Sequence, residues 1–360
     1  MNRREFLRSL LAAAAVGLVP PSLGASGCTG RLSTASIPVF SINPDFDPAQ
    51  LGESQRQWYD RMWAALRDPN QYPDIQALAA DSAPRLDNTP YVYSIGYGLK
   101  SWVYALYGAF YTTGEQALLD EVIRMMNLIN HETLTYFADL YESMLMSCFT
   151  LHTFVLFQNQ AQYGDEFERW MGIINARLAN RQNELVYNLL AHSTLARCIS
   201  GYLLYRMTGS EQWNETARSA FDDFNTIYID HTSDRLLWYH DGKPEQQAES
   251  GYQPMNYVRY SVENLVMLAL TGSPYTVDMT ALAQSVLGTI NADGTIAGNI
   301  AGDVDYEGLN WTPDKWSISN LTQMARWDAS GELARRSAYV WSLVSYHETR
   351  PHVSAALLSL

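Results

Sequence analysis

Acidic side chains fall in groups along this chain. Asp139 and Glu142 lie one helical turn apart, Asp241 and Glu249 share one long connection, Glu263 follows it, and Asp303, Asp305 and Glu307 crowd a second. Two carboxyl groups facing each other across a cleft can hydrolyse a glycosidic bond, one as general acid and the other as base or nucleophile. Asp303-Val304-Asp305 followed by Glu307 also has the composition of a calcium loop, but it lacks the full spacing and the distant glutamate, so no metal site is expected. No paired-cysteine or HExxH metal spacing occurs. The same connections carry Trp238, Tyr239, Tyr252, Trp311 and Trp316, whose flat rings suit the faces of sugars. With no proton-transfer group beside them, these aromatics would make a protein that binds saccharides or a partner without catalysis.

The elements that must position these residues are helices. Ile95, Leu99, Trp102, Val103, Leu106, Tyr107 and Phe110 recur at helical spacing, and so do Leu185, Leu189, His192, Ala196, Ile199, Leu203 and Met207. Repeatedly an apolar helix runs into a glycine and a more polar helix follows, at Gly114, Gly164, Gly209, Gly272 and Gly331. Glycine supplies the left-handed residue that ends a helix, and Ser273-Pro274 reads as a cap followed by proline at a first helical position. Five hairpins are visible, and a sixth is suggested by the stretch from Trp58 to Leu66 with that around Pro73 to Ala80. One helix of each pair is nearly all apolar while its partner carries the charge. This predicts an all-α fold, an (α/α) toroid or incomplete barrel forming one domain over residues 51–360, with an open superhelix of helix pairs as the structural alternative. The segments entering the inner helices would gather at one rim: residues 87–93, 130–139 and 180–192, and the insertions 231–260 and 291–316. Long connections in a compact helical repeat are usually functional, so the site is expected at this rim.

At the rim a family resemblance emerges. Asn256-Tyr257-Val258-Arg259-Tyr260-Ser261-Val262 resembles the segment that opens an inner helix in the alginate lyases with an (α/α) toroid, and Ala191-His192-Ser193, with the hairpin bearing Trp213, is similar to another segment of that family. The resemblance spans roughly residues 185–290 and implies a polysaccharide lyase that needs no cofactor, with His192 at the catalytic histidine and Tyr260 at the catalytic tyrosine. β-Elimination at a uronic acid removes the C5 proton while the adjacent carboxylate is neutralised, then delivers a proton to the leaving oxygen. A tyrosine and a histidine can share those transfers. Asn188, four residues before His192 and expected on the same helix face, and Arg259, whose charge would favour ionised Tyr260, would hold the carboxylate. Tyr257, His240, Tyr252, Trp238, Trp311 and Trp316 would bind substrate. The family's asparagine is Ala191 here and its arginine is Gln253, so two carboxylate-neutralising groups are missing from their usual places. The competing reading is a hydrogen-bonded core histidine at 192, with Tyr257 and Tyr260 serving only as packing.

The chain opens with Arg3 and Arg4, an apolar run from Leu10 to Val19, Pro20-Pro21, and small residues before Cys28. This is a signal peptide over residues 1–28, and the run is too short to span a bilayer core of about 30 Å. The paired arginines resemble a twin-arginine signal, which implies the twin-arginine export machinery as a partner. Ala25-Ser26-Gly27-Cys28 resembles a lipobox, which implies a lipid on Cys28 as the link to a membrane in the periplasm or cell envelope. Residues 29–50, rich in Ser, Thr, Pro and Asp, read as a flexible tether. The sequence as a whole is 47% hydrophobic and 17% charged, the profile of a well-buried globular chain. A net charge of −14, about −16 without the leader, argues against nucleic acid as a partner. Cys148 and Cys198 lie in apolar helical patterns and are expected as buried thiols.

Overall fold

The computed structural model describes residues 40–67, 99–127, 139–182, 184–185, 187–244, 247, 251–303 and 321–342. Residues 1–28, including Cys28, and Trp311, Trp316, Glu249, Asp305 and Glu307 lie outside them, as do the segments 87–93 and 130–138 of the expected rim. The helices are α1 (Glu53–Leu66), α2 (Lys100–Thr113), α3 (Gln116–Asn127), α4 (Asp139–Gln158), α5 (Gln160–Asn180), α6 (Ala191–Thr208), α7 (Glu211–Asp223), α8 (Met255–Leu270), α9 (Met279–Leu287) and α10 (Glu332–Ser342). Short turns of tighter or wider helix supplement them, and the extended contacts among the described residues are isolated bridges. The fold is all-α. No described helix is long and apolar enough to cross a membrane.

Two kinds of helix alternate. In α6 and α8 nearly every residue is buried, whatever its angular position, whereas α3 buries Leu118, Leu119, Val122, Met125 and Met126 and turns its charges outward. A helix apolar all round must be enclosed, and an amphipathic one must cover it. Accordingly α2 packs on α4, α4 on α6, α6 on α8, and α8 back on α2, while α3, α5 and α7 cover α2, α4 and α6. The α6–α7 approach is closest at Gly201, where a Cβ would meet Ala217 N and Trp213 O at 2.9 Å. Only the absence of a side chain lets the two backbones come so near.

Glycine ends the helices where the sequence placed it at Gly114, Gly209 and Gly272, all with positive φ, whereas Gly331, also at positive φ, lies beyond the tight turn that ends at Trp327 and directly precedes α10. Gly114 N donates to Phe110 O and Gly209 N to Tyr205 O, closing each last turn. Gly164 behaves differently. The range of α5 runs across it, but the backbone leaves helical geometry at Tyr163, immediately before Gly164, and a further break stands at Asn159, whose amide donates to Phe40 O and Val155 O. The expected start at Ser273-Pro274 is also displaced: α9 begins at Met279, capped by the Asp278 carboxylate, which accepts from Thr280 N and Ala281 N.

Residues 40–50 are not part of a flexible tether. Phe40 is fully buried among Tyr107, Phe110 and Tyr111, and Asn43 N donates to Gly114 O, so the chain from residue 40 belongs to the domain. Cys148 and Cys198 are buried free thiols, pushed up by burial.

Candidate functional site

The first insertion is a pinned platform. Tyr239 N donates to Tyr228 O, Gln253 N to Trp238 O, and His240 N to Gly251 O, while the His240 carbonyl accepts from Ala191 N. That last bond supplies a partner for an otherwise orphaned amide at the start of α6. The second insertion joins the platform where Ile300 N donates to Gln253 O and Met255 N to Gly298 O. His240 and Gln253 are thereby delivered to the beginnings of α6 and α8, where His192 and Tyr260 lie.

These side chains meet. The His192 ring stacks on Tyr257 at 4.9 Å between centroids and lies 6.2 Å from Tyr260 and 5.9 Å from His240, and His240 is 4.8 Å from Tyr257. Arg259 curls back from the neighbouring position on α8, donates to the Tyr260 phenol oxygen and places its guanidinium 4.4 Å from the ring centre. His192 and Tyr260 are fully buried, whereas His240, Tyr257 and Arg259 are half-buried. Gln253 Nε2 stands 3.4 Å from His192 Nδ1, and Asn264 Nδ2 donates to His192 O.

Beneath the cluster is a buried charge pair. Lys100 Nζ on α2 donates to Glu263 Oε2 at 2.7 Å, Ser101 Oγ donates to Glu263 Oε1 at 2.7 Å, and both charged side chains are wholly enclosed. Glu263 is one turn from Tyr260, and Lys100 Nζ lies 4.0 Å from the Tyr104 ring centre and 5.8 Å from that of Tyr260. Burial lowers the Lys100 ammonium against the opposing pull of Glu263. Burial holds His192 well below the ordinary imidazole range, and the neighbouring His240 and Lys100 add to it. Burial also lowers His240, with Asp241 opposing. Both imidazoles are therefore neutral near pH 7.

Other expected residues are placed differently. Asn188 does not share a helix face with His192, because α6 begins at Ala191 after an extended Leu190. Its backbone N donates instead to Ser193 Oγ, which also meets Ser143 Oγ. Trp238 is fully buried with its indole donating to Gln253 Oε1, so it offers no face to a sugar. Tyr252 stacks flat on Tyr239 at 5.1 Å and donates to Asp230. Among the carboxylates, Glu142 is buried and held by Arg177 at 2.9 and 2.5 Å, Glu263 is held by Lys100, and Asp303 is exposed. Among the described residues no three His, Cys, Asp or Glu side chains are grouped to hold a metal.

Three buried polar atoms of this neighbourhood, Asn188 Oδ1, His240 Nδ1 and Asn256 Oδ1, make no hydrogen bond among the described residues. Such atoms are few in folded proteins and often await a water or ligand. Nothing local in the sequence marks Lys100 or Asn264, and Ser193 enters only within the Ala191-His192-Ser193 segment. The only local hint was Glu263, three residues after Tyr260 in a helical pattern that required its burial. No family model matches the chain, and no curated protein or solved structure matches it.

Proposed function

We propose that this chain is an exported polysaccharide lyase, an (α/α) toroid that cleaves a uronic-acid-containing polysaccharide by β-elimination. The observation that carries this reading is the convergence of an imidazole, two phenols and a guanidinium from separate segments of the chain, with Arg259 on the oxygen of Tyr260. The resemblance of the segments around His192 and Tyr260 to the alginate lyases points the same way.

In the proposed reaction Tyr260, as phenolate beside Arg259, takes the C5 proton. The C4–O bond breaks as the C4–C5 double bond forms, and the same phenol returns its proton to the leaving oxygen. Arg259 and His192 face the substrate carboxylate, whose charge must be balanced as negative charge spreads from C5. Asn188 and Asn256 carry polar atoms not yet engaged in the described structure, and these would serve substrate hydroxyls or the carboxylate. His240 and Tyr257, half-buried over His192, would line the route in. Because His192 and Tyr260 are enclosed, turnover requires Arg259 and Tyr257 to swing aside as substrate enters. The leader with Arg3 and Arg4 would deliver the folded protein outside the cytoplasm, and a lipid on Cys28 would anchor it.

The hydrolase alternative loses two of its candidates, since Glu142 and Glu263 are each engaged by a buried cation. The test is incubation of the purified protein with a panel of uronate polysaccharides and neutral glycans while the ultraviolet band of an unsaturated uronide is followed. Rising absorbance on a polyuronate is the expected result. New reducing ends without absorbance, or retention without cleavage, would replace the reading by hydrolysis or by binding.

A further inference from the structure

The Gln253 side chain has a determined orientation. Its Oε1 accepts from Trp238 Nε1 at 2.6 Å and from Ser261 Oγ at 2.7 Å, and all three residues are fully buried. An indole N–H can only donate, so the atom facing it must be the amide oxygen. The amide nitrogen is then the atom 3.4 Å from His192 Nδ1, and since it too can only donate, Nδ1 must accept. A neutral imidazole whose Nδ1 accepts carries its proton on Nε2.

We propose that Gln253 is a positioning residue that fixes His192 as the neutral Nε2–H tautomer, so that His192 acts on the substrate as a hydrogen-bond donor and not as a base. The donor role rests on the lyase reading above, while the tautomer does not. A proton added at Nδ1 would set two donors face to face, so the amide opposes protonation through geometry. Burial against Tyr257 and Tyr260 of α8 acts in the same sense, as do His240 from the platform and Lys100 from α2, while the Glu263 carboxylate on Lys100 offsets part of that charge. Proton transfer then falls to Tyr260 alone, with His192 and Arg259 supplying donors to the carboxylate. At the position where the resembling family has an arginine, this chain has an amide that supplies no charge but sets which nitrogen of the histidine carries hydrogen.

The test is nitrogen-15 NMR of the mature protein labelled selectively at histidine, with the His192 signal assigned by its loss in His192→Gln. Few signals are expected, because the sequence contains 7 histidines. The wild-type protein should show the Nε2–H pattern, unchanged between about pH 5.5 and pH 8. An Nδ1–H pattern, or ordinary titration near about pH 6.5, would overturn the assignment. In Gln253→Glu the carboxylate keeps both acceptor bonds and invites a proton onto Nδ1. The variant should lose the Nε2–H pattern above neutrality, and its kcat should drop at least about tenfold at high pH and recover on acidification. A ratio of variant to wild-type activity that rises with pH would mean that His192 is a base. If Gln253→Glu does not fold, the wild-type spectrum still decides. If the tautomer is as assigned and no polyuronate is cleaved, the lyase reading fails and the Gln253 assignment stands.

Discussion

Two histidines, His152 on α4 and His192 on α6, are fully buried on enclosed helices, and each has a tyrosine beside it. His152 Nδ1 meets Tyr107 Oη at 2.5 Å, and Trp170 stands edge-on to the ring at 4.7 Å. Burial pushes the Tyr107 phenol well up, so it stays protonated and donates to the imidazole. His192 instead has a second imidazole, two tyrosines, an arginine on one phenol and a buried lysine–glutamate pair close by. A histidine–tyrosine pair is therefore not in itself a sign of chemistry. Enclosing charge beside it costs desolvation free energy that apolar packing would avoid, and it is the gathering of the Lys100–Glu263 pair with two imidazoles, two phenols and a guanidinium that sets the His192 cluster apart from the lone Glu142–Arg177 pair.

The comparison can be broken most sharply at the tyrosines. Tyr260→Phe should lower turnover by about a thousandfold, within the range for loss of a general acid–base group, without moving the thermal midpoint appreciably. Tyr107→Phe should leave the rate per folded molecule unchanged and cost about 1 kcal/mol in denaturant unfolding. Equal effects on rate from the two variants would erase the distinction.

Next is the buried charge. Lys100→Met leaves Glu263 enclosed without its cation and should destabilise the fold by about 3–5 kcal/mol, whereas the double variant Lys100→Met/Glu263→Leu should recover most of that. Urea titration checks both. Failure of the double variant to recover would mean that the pair specifies the packing of α2 on α8 and does not merely tolerate it.

The histidines themselves should part. His152→Ala removes a packed ring and should cost about 2–4 kcal/mol with activity per folded molecule retained. His192→Ala should cost about a hundredfold in kcat and less stability than that. If His192→Ala unfolds the domain instead, His192 is a core residue.

The smallest effect is in pH. The native His192 imidazole is held below its unfolded value, so the unfolded chain binds a proton first as pH falls. Stability should therefore drop on acidification below about pH 6.5, by up to about 1 kcal/mol per pH unit for this residue, and His192→Gln should flatten that slope. Unfolding curves at several pH values read it directly. A slope unaltered by His192→Gln would show that the ring titrates alike in both states.

The local chemistry of helix ends was readable, and the long-range pairing was not. Gly114, Gly209 and Gly272 carry their own reason to end a helix, a conformation that favours glycine. Gly164 has no positive φ and the kink beside it falls at Tyr163, while the further break at Asn159 depends on bonds to Phe40, distant in sequence. Asn188 was misplaced because Leu185 and Leu189 continue a helical spacing, while the actual start of α6 depends on the His240 carbonyl. Trp238 read as a surface ring because nothing local to it announces Gln253 as a buried acceptor. The meeting of His192 with Tyr260 is an expectation of the resemblance to the alginate lyases, not of periodicity or spacing. The amide, the second histidine and the ion pair around them come from segments whose closeness only the tertiary structure supplies.

One direct measurement bears on all of this: wild type and Tyr260→Phe, matched for thermal unfolding, incubated side by side with a polyuronate while the unsaturated-uronide band and the reducing ends are both recorded. Parallel growth of the two signals in wild type and neither in the variant is the predicted outcome. Reducing ends without the ultraviolet band, or equal rates in the two proteins, would contradict an elimination centred on the Tyr260 phenol.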